Sequence, residues 1–160
     1  MAVKDILILG NPFLYEKSVP VKKAELEDLL PQIDLMFDTI RDFRKKYGWG
    51  RAIAAPQVGL MKRIICLNTD QPIAIINPAL SDLSTEMIEL WDDCMSFPKL
   101  LVKVKRHKRI TLSFHDLNWD LHTWNIEDDL SELIQHEYDH LDGILAVQRA
   151  IDNKSFRYMD

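Results

Sequence analysis

The order of the predicted elements indicates an α+β fold in a single domain spanning residues 1–160. An amphipathic helix is predicted near the N-terminus, a series of short strands follows, and a second helix lies near the C-terminus. The strands alternate apolar and polar residues, which is typical of antiparallel sheets with one buried face. We therefore expect short antiparallel strands packed around the C-terminal helix, with the N-terminal amphipathic helix beside them.

The first helix is predicted from Pro31 to Lys46, after a short strand or extended arm from Lys4 to Leu9. Apolar residues recur in it at steps of three and four, which gives the helix one buried face. The residues of this face are Ile33, Met36, Phe37, Ile40 and Phe43. Pro31 suits the first position of a helix, and Gly48 is expected to end it. We interpret this helix as a packed structural element.

Six strands are predicted in the middle of the chain, where β-branched and aromatic residues are frequent. They run from Arg63 to Leu67, Ile73 to Asn77, Met87 to Trp91, Leu101 to Lys105, Arg109 to Phe114 and Leu121 to Ile126. Cys66 lies inside the first of these strands and is expected to be a buried thiol of the core. Farther along, Ile144 to Ala150 is expected to form a strand or turn, and residues 151–160 are expected to fray.

The C-terminal helix is predicted from Leu130 to Asp142, because its apolar residues have helical spacing. Asp129 and Glu132 have the spacing of a capping box at the start of this helix. Gly143 follows at the position where a left-handed residue commonly ends a helix. These signals place the sequence His-Glu-x-x-His on a helix.

The three fixed residues of that pattern are His136, Glu137 and His140. Residues four apart lie on one face of a helix, so both imidazoles are expected to reach the same point. Glu137 lies beside them and is expected to act as the general base for an attacking water. The pattern predicts a hydrolytic metal site that needs a third ligand from another part of the chain.

Composition excludes several other classes of protein. The net charge of −5 and the pI of about 5.5 argue against a nucleic-acid-binding surface. The N-terminus lacks the basic start and long apolar run of a signal peptide, and no stretch is apolar enough to span a membrane. Two cysteines are too few for a disulfide framework. We therefore expect a protein of the cytoplasm.

Cys94 is the leading candidate for the third ligand, since a thiolate beside two imidazoles suits iron or zinc. His107, His115 and His122 are the alternatives, but they lie in basic or turn contexts without a supporting motif. A second unusual stretch, Gly48 to Gln57, is rich in small residues that permit a ligand to approach the backbone. A tight structural turn would explain that stretch equally well.

Three groups of residues occur in a recognisable order. The C-terminal motif reads Gln135-His136-Glu137-Tyr138-Asp139-His140-Leu141-Asp142-Gly143, and it is preceded by Cys94 and Ser96, and earlier by Gly50, Ala54, Ala55 and Gln57. The chain thereby resembles the peptide deformylase family over nearly its whole length. That family is recognised by Gly-x-Gly-x-Ala-Ala-x-Gln, Glu-Gly-Cys-x-Ser and Gln-His-Glu-x-x-His-x-x-Gly, of which only the third is complete here.

The resemblance implies the fold of that family and the removal of the N-formyl group from the N-terminal methionine of nascent chains. It implies one divalent metal ion, with Fe²⁺ expected and Zn²⁺ or Ni²⁺ as alternatives. The implied metal ligands are Cys94, His136 and His140. Glu137 would transfer the proton, and the Gln57 side chain and the Met95 backbone N–H would stabilise the oxyanion.

Departures from the family pattern fall on the substrate side of the site. The residues expected beside the substrate are Gly50, Arg51, Ala52, Ile53, Asp92 and Glu132. Ala52 and Asp93 replace glycines of the motifs, and Asp93 is expected to crowd the metal or a bound peptide. Arg51 and Glu132 stand at places that are usually apolar in the family. Charges beside a thioether are unfavourable unless they pair, so the preferred side chain is expected to differ from methionine if these residues face it.

Three functions remain open from the sequence. The first is a deformylase acting on formyl-methionyl peptides, with nascent chains and the ribosome as expected partners and no nucleic acid or membrane. The second is a deformylase-like amide hydrolase with an altered substrate preference. The third is a catalytically weak metal-binding paralogue, which the presence of Glu137 and Gln57 disfavours because a binding module needs no general base.

Overall fold

The computed structural model describes residues 5–159, which form two α-helices and two antiparallel sheets. The elements are α1 (Leu26–Tyr47), β1 (Ala52–Ala54), β2 (Ile64–Asn68), β3 (Pro72–Ser81), β4 (Met87–Asp92), β5 (Leu100–His107), β6 (Arg109–His115), β7 (Leu121–Glu127), α2 (Asp128–Leu141) and β8 (Phe156–Tyr158). The α+β class is confirmed, and each of the six predicted strands is present with slightly different ends. Within residues 5–159, neither helix has the length and apolar character needed to cross a membrane.

The larger sheet has five strands in the order β1-β2-β3-β6-β7, and it separates the two helices. Side chains alternate between its faces: Ile64 and Cys66 of β2 pack with α1, whereas Ile65 and Leu67 pack with α2. Cys66 is fully buried, as expected from its place in an apolar strand. The smaller sheet, β4-β5-β8, contributes to a third apolar cluster that includes Cys94.

Helix α1 begins earlier than the sequence predicts. Pro31 is inside the helix rather than at its first position, because Leu26 and Leu29 extend the buried apolar face by more than one turn. Just before the helix, the Lys22 backbone N–H donates a hydrogen bond to Glu25 Oε1. Gly48 ends α1 as predicted, with a φ of 81° and its N–H donated to the Arg44 carbonyl.

The N-terminal arm is bound to the loops of the site by its backbone. Lys4, where the predicted arm begins, lies outside the described residues, and residues 5–8 form no strand. The Leu7 N–H donates to the Gln57 carbonyl at 2.7 Å, and the Leu9 N–H donates to the Ser96 carbonyl at 2.9 Å. The arm therefore fixes the positions of two loops that carry site residues.

Helix α2 lacks the predicted capping box. Glu127 is the N-cap and its side chain makes no capping hydrogen bond. Glu132 was expected to form the capping box with Asp129. Its side chain instead forms an ion pair with Arg51, which is distant in sequence. The left-handed glycine is confirmed, since Gly143 has a φ of 74° just after the C-cap residue.

The segment after α2 was expected to form a strand or turn and then a frayed tail. Ala146–Arg149 forms a short 3-10 helix rather than a strand. Phe156–Tyr158 does not fray, because it pairs with Leu100, Leu101 and Val102 as the third strand of the smaller sheet. The prediction of a frayed tail was wrong for these residues: their backbone hydrogen bonds are supplied by a strand distant in sequence, which local composition does not reveal.

Candidate metal centre

Cys94, His136 and His140 converge in the interior of the protein. The two histidines lie one turn apart on α2, and Cys94 comes from the loop that follows β4. The distance between Cys94 Sγ and His140 Nε2 is 3.3 Å, and one ligand atom from each residue lies within 4.8 Å of the others. All three residues are buried. The arrangement offers one thiolate and two imidazoles to a single ion.

The hydrogen bonds of the two imidazoles are compatible with metal binding through their Nε2 atoms. His136 Nδ1 lies 2.8 Å from Asp92 Oδ2, which leaves Nε2 directed elsewhere. His140 Nδ1 has no partner among residues 5–159, while its Nε2 faces Cys94. The Ser96 backbone N–H points at Cys94 Sγ from 3.5 Å. This donor set fits zinc or ferrous iron with one position open.

A buried ion-pair network contacts His136 on the Nδ1 side of its ring. Arg106 donates to Asp92 Oδ2 at 3.1 Å and to Asp139 Oδ2 at 2.6 Å, and Arg149 also contacts Asp139. Although burial acts to raise it, the His136 ring and the Arg106 guanidinium hold the pKa of Asp92 below its usual value. Asp92 therefore remains a carboxylate that orients the imidazole.

Asp92, predicted to contact the substrate, lines the cavity, and its Oδ2 is engaged by His136 and Arg106; the substrate contact stays a prediction. Arg106 was not identified from the sequence. A signal was nevertheless present: Val102, Val104 and Arg106 occupy alternate buried positions of β5. An arginine in the buried phase of a strand requires an internal carboxylate partner.

Glu137 is buried, and its Oε1 atom has no hydrogen-bond partner among residues 5–159. Burial, more than the neighbouring carboxylates, raises the pKa of Glu137 to about 7. A carboxyl group with that pKa both accepts and releases a proton near neutral pH. Its sequence-predicted role as a general base requires such a free oxygen.

Gln57 is held with its amide nitrogen toward the same centre. Its Oε1 accepts the Ala54 backbone N–H at 3.0 Å, which fixes which end of the amide faces inward. Its Nε2 lies 3.1 Å from Ser96 Oγ and 3.6 Å from Cys94 Sγ. Met95, whose backbone N–H was predicted to assist, is buried next to Cys94. Gln57 and Met95 thus lie on the Cys94 side of the centre.

Gly50 allows the segment before β1 to approach the Met95 loop closely. A Cβ atom on Gly50 would lie 2.9 Å from the terminal carbon of Met95, and the residue has a φ of 124°. Its carbonyl accepts hydrogen bonds from Arg44 Nε and Nη2 at 2.9 and 2.7 Å. Arg44, in the last turn of α1, therefore anchors this wall of the site.

A cavity of about 440 Å³ opens onto the centre. The predicted residues that line it are Gly50, Arg51, Ala52, Gln57, Asp92, Cys94, Met95, His136 and Glu137. Ile53 is absent from the lining because its side chain is fully buried in the core with α1, and its contact with substrate stays a prediction.

Asp93 projects into this cavity rather than straining the loop. Its backbone is not among the left-handed residues, so the glycine of the family motif is not required for its conformation. The side chain lines the cavity and makes no hydrogen bond or ion pair with another residue in the range 5–159. Burial, followed by the nearby Asp92 charge, raises the pKa of Asp93.

Arg51 lines the same cavity, and Glu132, which is not among the lining residues, forms an ion pair with it, with 3.0 Å between Arg51 Nη2 and Glu132 Oε1. The Glu132 side chain is 7% exposed, whereas that of Arg51 is 43% exposed. Burial, followed by the Asp92 charge, raises the pKa of Glu132, and the hydrogen bond from Arg51 opposes that shift. The two departures that sequence alone treated separately therefore act as one pair.

The other three histidines make contacts away from the centre. His107 Nδ1 lies 2.7 Å from the Ser84 carbonyl, and His115 stacks on Trp119. His122 Nε2 lies 2.6 Å from an Asp116 carboxylate oxygen. Among residues 5–159, these histidines do not join the candidate metal group, so Cys94 remains the third ligand of the arrangement.

Comparisons with known proteins agree with this geometry. The family model described as "Polypeptide deformylase" matches residues 3–156. A peptide deformylase of Dictyoglomus thermophilum is 34% identical over 151 residues, which cover 94% of each chain. The crystal structure of the Thermotoga maritima peptide deformylase superposes with a TM-score of 0.87 at 29% identity, covering 95% of this chain and 100% of that one.

A further neighbour is a class I type b peptide deformylase from Acinetobacter baumannii, whose structure is described as bound to Met-Ala-Ser. It superposes with a TM-score of 0.83 at 28% identity, covering 92% of this chain and 98% of that one. The extent of the family match, the curated relative and the shared fold lead to one conclusion: this chain belongs to the polypeptide deformylase family, whose members are metal-dependent hydrolases.

Proposed function

We propose that this protein removes the N-formyl group from the N-terminal methionine of newly made polypeptides. The observation that carries the proposal is the position of Glu137, whose unpartnered Oε1 is buried beside the convergent Cys94, His136 and His140. The Met-Ala-Ser complex of the A. baumannii relative supports a peptide as the occupant of the cavity. We place this activity in one catalytic domain of residues 1–160, acting in the cytoplasm on chains emerging from the ribosome.

The proposed metal ligands are Cys94 Sγ, His136 Nε2 and His140 Nε2, with Fe²⁺ as the expected ion and Zn²⁺ or Ni²⁺ as alternatives. When bound there, a divalent cation supplies Lewis acidity, which polarises a carbonyl and lowers the pKa of water. Asp92 would hold the His136 ring in the tautomer that this requires.

In the proposed reaction, Glu137 accepts a proton from the attacking water as the water oxygen bonds to the formyl carbon. The Gln57 Nε2 group and the Met95 backbone N–H donate hydrogen bonds to the carbonyl oxygen as it becomes negative. The C–N bond then breaks, and Glu137 returns its proton to the departing amine nitrogen. The products are formate and a peptide with a free N-terminus.

The test is the substitution Glu137→Gln, which keeps the size of the side chain and removes its basicity. We expect the rate of formyl-peptide hydrolysis to fall by about 10²–10⁴-fold while the metal content stays at that of the unchanged protein. The measurements are formate release and metal analysis of the purified protein. Glu89→Gln, at an exposed surface residue paired with Lys105, is the matched control. Unchanged turnover in Glu137→Gln would remove Glu137 from the mechanism.

A second candidate function is supported by a specific observation. Arg51 places a charged side chain in the lining of the cavity and pairs with Glu132 beside it, which favours hydrolysis of formyl groups on residues other than methionine. The third candidate, a catalytically weak paralogue, predicts that no formyl peptide is hydrolysed by the metal-loaded protein.

A further inference from the structure

We propose that Arg51 and Glu132 make the cavity accept a formylated residue with a neutral, hydrogen-bonding side chain, such as glutamine, at least as well as methionine. This inference rests on the proposed removal of a formyl group and concerns only the residue that carries that group.

The pair lies where it can contact the residue that carries the formyl group. Arg51 follows Gly50 in the cavity wall, and Glu132 precedes the metal-ligand candidate His136 by four residues on α2. Residues four apart on a helix lie on the same face, about one turn from each other. The ion pair is therefore about one helical turn from the proposed metal. At that distance it would face the side chain of the formylated residue rather than the formyl carbon.

The pair uses only part of its hydrogen-bonding capacity. Glu132 Oε1 accepts from Arg51 Nη2 at 3.0 Å, but Glu132 Oε2 makes no hydrogen bond within residues 5–159. Arg51 Nε and Nη1 also make none within that range. Since a guanidinium has only donors and a carboxylate only acceptors, the pair offers one free acceptor beside free donors. A carboxamide has the complementary groups, an NH₂ donor and a carbonyl acceptor.

Charge balance favours a neutral side chain over a charged one. A lysine side chain would bring a second cation next to Arg51 as it approached Glu132. A carboxylate would bind Arg51 only by weakening its bond to Glu132, whose charge is 7% exposed and depends on that partner. The unpartnered carboxylate of Asp93 also lines the cavity and would repel an anionic side chain. A carboxamide leaves the ion pair intact.

A thioether satisfies neither member of the pair, and it would cover their polar groups without replacing their contacts with water. Sites that hydrogen-bond a substrate group discriminate strongly against an analogue that lacks it, by up to about 10⁴–10⁵-fold. The effect expected here is smaller, because Arg51 is 43% exposed and water remains available to it. We expect the pair to change the preference by about tenfold, which is the low end for one methylene-sized difference in a pocket.

The experiment compares kcat/KM of the metal-loaded protein for four peptides that differ only at the first residue: formyl-Gln-Ala-Ser, formyl-Met-Ala-Ser, formyl-Lys-Ala-Ser and formyl-Glu-Ala-Ser. The expected result is a Gln-to-Met ratio of at least one, with the Lys and Glu peptides slower than the Gln peptide. The double variant Arg51→Val/Glu132→Leu should lower the Gln-to-Met ratio about tenfold. If that variant does not fold, Arg51→Met, at the more exposed position, is used and should lower the ratio in the same direction.

The matched control removes an ion pair of similar length away from the cavity, Lys62–Glu25 at 2.9 Å, as Lys62→Met/Glu25→Gln, and should leave the ratio unchanged. A wild-type ratio below one, a faster Lys or Glu peptide, or a fall of less than about threefold in the cavity variant would overturn the inference. Calorimetric binding of the same peptides to the Glu137→Gln variant separates the two proposals. Absent hydrolysis with binding of the Gln peptide at least as tight as that of the Met peptide would refute only the proposed function, whereas tighter binding of the Met peptide would refute the inference.

Discussion

Asp92 shows how much of a metal site depends on residues that do not touch the ion. Its carboxylate bonds both the His136 ring and the Arg106 guanidinium within the interior. A hydrogen bond of this kind fixes the tautomer and the direction of the imidazole. In this chain an aspartate stands where the family motif has glutamate, and it reaches both partners.

The substitution Asp92→Asn should therefore weaken metal binding by about 10–100-fold. The amide has nearly the same shape, but it lacks the charge that Arg106 and His136 require. Affinity is measured by competition with a chromogenic chelator. Asp116→Asn is the matched control, because Asp116 forms the other aspartate–histidine pair, with the partly exposed His122, and it should not change the affinity. Equal affinities of the Asp92 variant and the unchanged protein would show that the contact does not orient the ligand.

At the scale of single residues, the sequence was most informative where helical periodicity determines the geometry. Two histidines four apart on a helix face one point whatever the rest of the fold does, and Cys94 was identified through its motif. Arg106 and the Arg51–Glu132 contact could not be predicted in the same way, because each joins elements that only the tertiary fold brings together.

Among the elements, α2 ends at a closely packed glycine. Gly143 has a φ of 74°, and a Cβ atom there would lie 2.5 Å from the backbone carbon and oxygen of Tyr15. The helix that carries both histidines therefore ends directly against the 3-10 helix Pro12–Tyr15. The close contact sets where α2 stops relative to the N-terminal part of the fold.

We expect Gly143→Ala to lower the free energy of unfolding by about 2–4 kcal/mol, since left-handed strain and a backbone clash act together. Gly59→Ala is the matched control: its φ of 81° is similar, but its added Cβ would have nothing within 4 Å. That variant should lose only the conformational part, about 1 kcal/mol. Urea unfolding of both variants gives the comparison. Equal losses of unfolding free energy in the two variants would show that the backbone near Tyr15 moves to accommodate the added Cβ without destabilising the fold.

Helix and strand types were predictable from local patterns, but several ends were not. The start of α1 was misplaced because a proline favours the first turn, whereas buried Leu26 and Leu29 continue the apolar face before it. β8 was missed because its three residues are all exposed and are too few to show a strand period. Pairing with β5, more than fifty residues earlier in the chain, makes it a strand.

For the whole molecule, the proposed metal site is a cross-link between distant parts of the fold. Cys94 belongs to the loop after β4 in the smaller sheet, whereas His136 and His140 belong to α2, which packs on the larger sheet. An ion held by all three binds the folded state far better than the unfolded chain. Metal binding should therefore stabilise the entire fold.

At a free metal concentration one hundred times the dissociation constant, this linkage amounts to about 2.7 kcal/mol. We expect the Tm of the zinc-loaded protein to exceed that of the chelator-treated protein by about 5–10 °C, measured by calorimetry. Cys94→Ala should abolish the difference by removing one ligand, whereas Cys66→Ala, at the other buried cysteine, should retain it. A Tm independent of metal in the unchanged protein would contradict the cross-link.

The fold class was predictable because helices and strands are segregated along the sequence rather than alternating. The arrangement of the strands was not, since β3 pairs with β6 across the whole of the smaller sheet's hairpin. The same limit applies to the cavity. The residues expected around it could be named individually from the sequence. Whether each would be buried in the core (Ile53), orient a histidine (Asp92) or form an ion pair (Arg51) depended on the arrangement of the strands.

The position of β8 near the end of the chain also affects the order in which the site forms during synthesis. Polypeptides acquire structure from the N-terminal side as they are synthesised, and the Gln57 and Cys94 loops are made long before α2. β5, which carries Arg106, gains its second neighbour only when residues 156–158 appear. A growing chain would thus contain Cys94 early, but the complete metal centre would form only after almost all of residues 5–158 had left the ribosome.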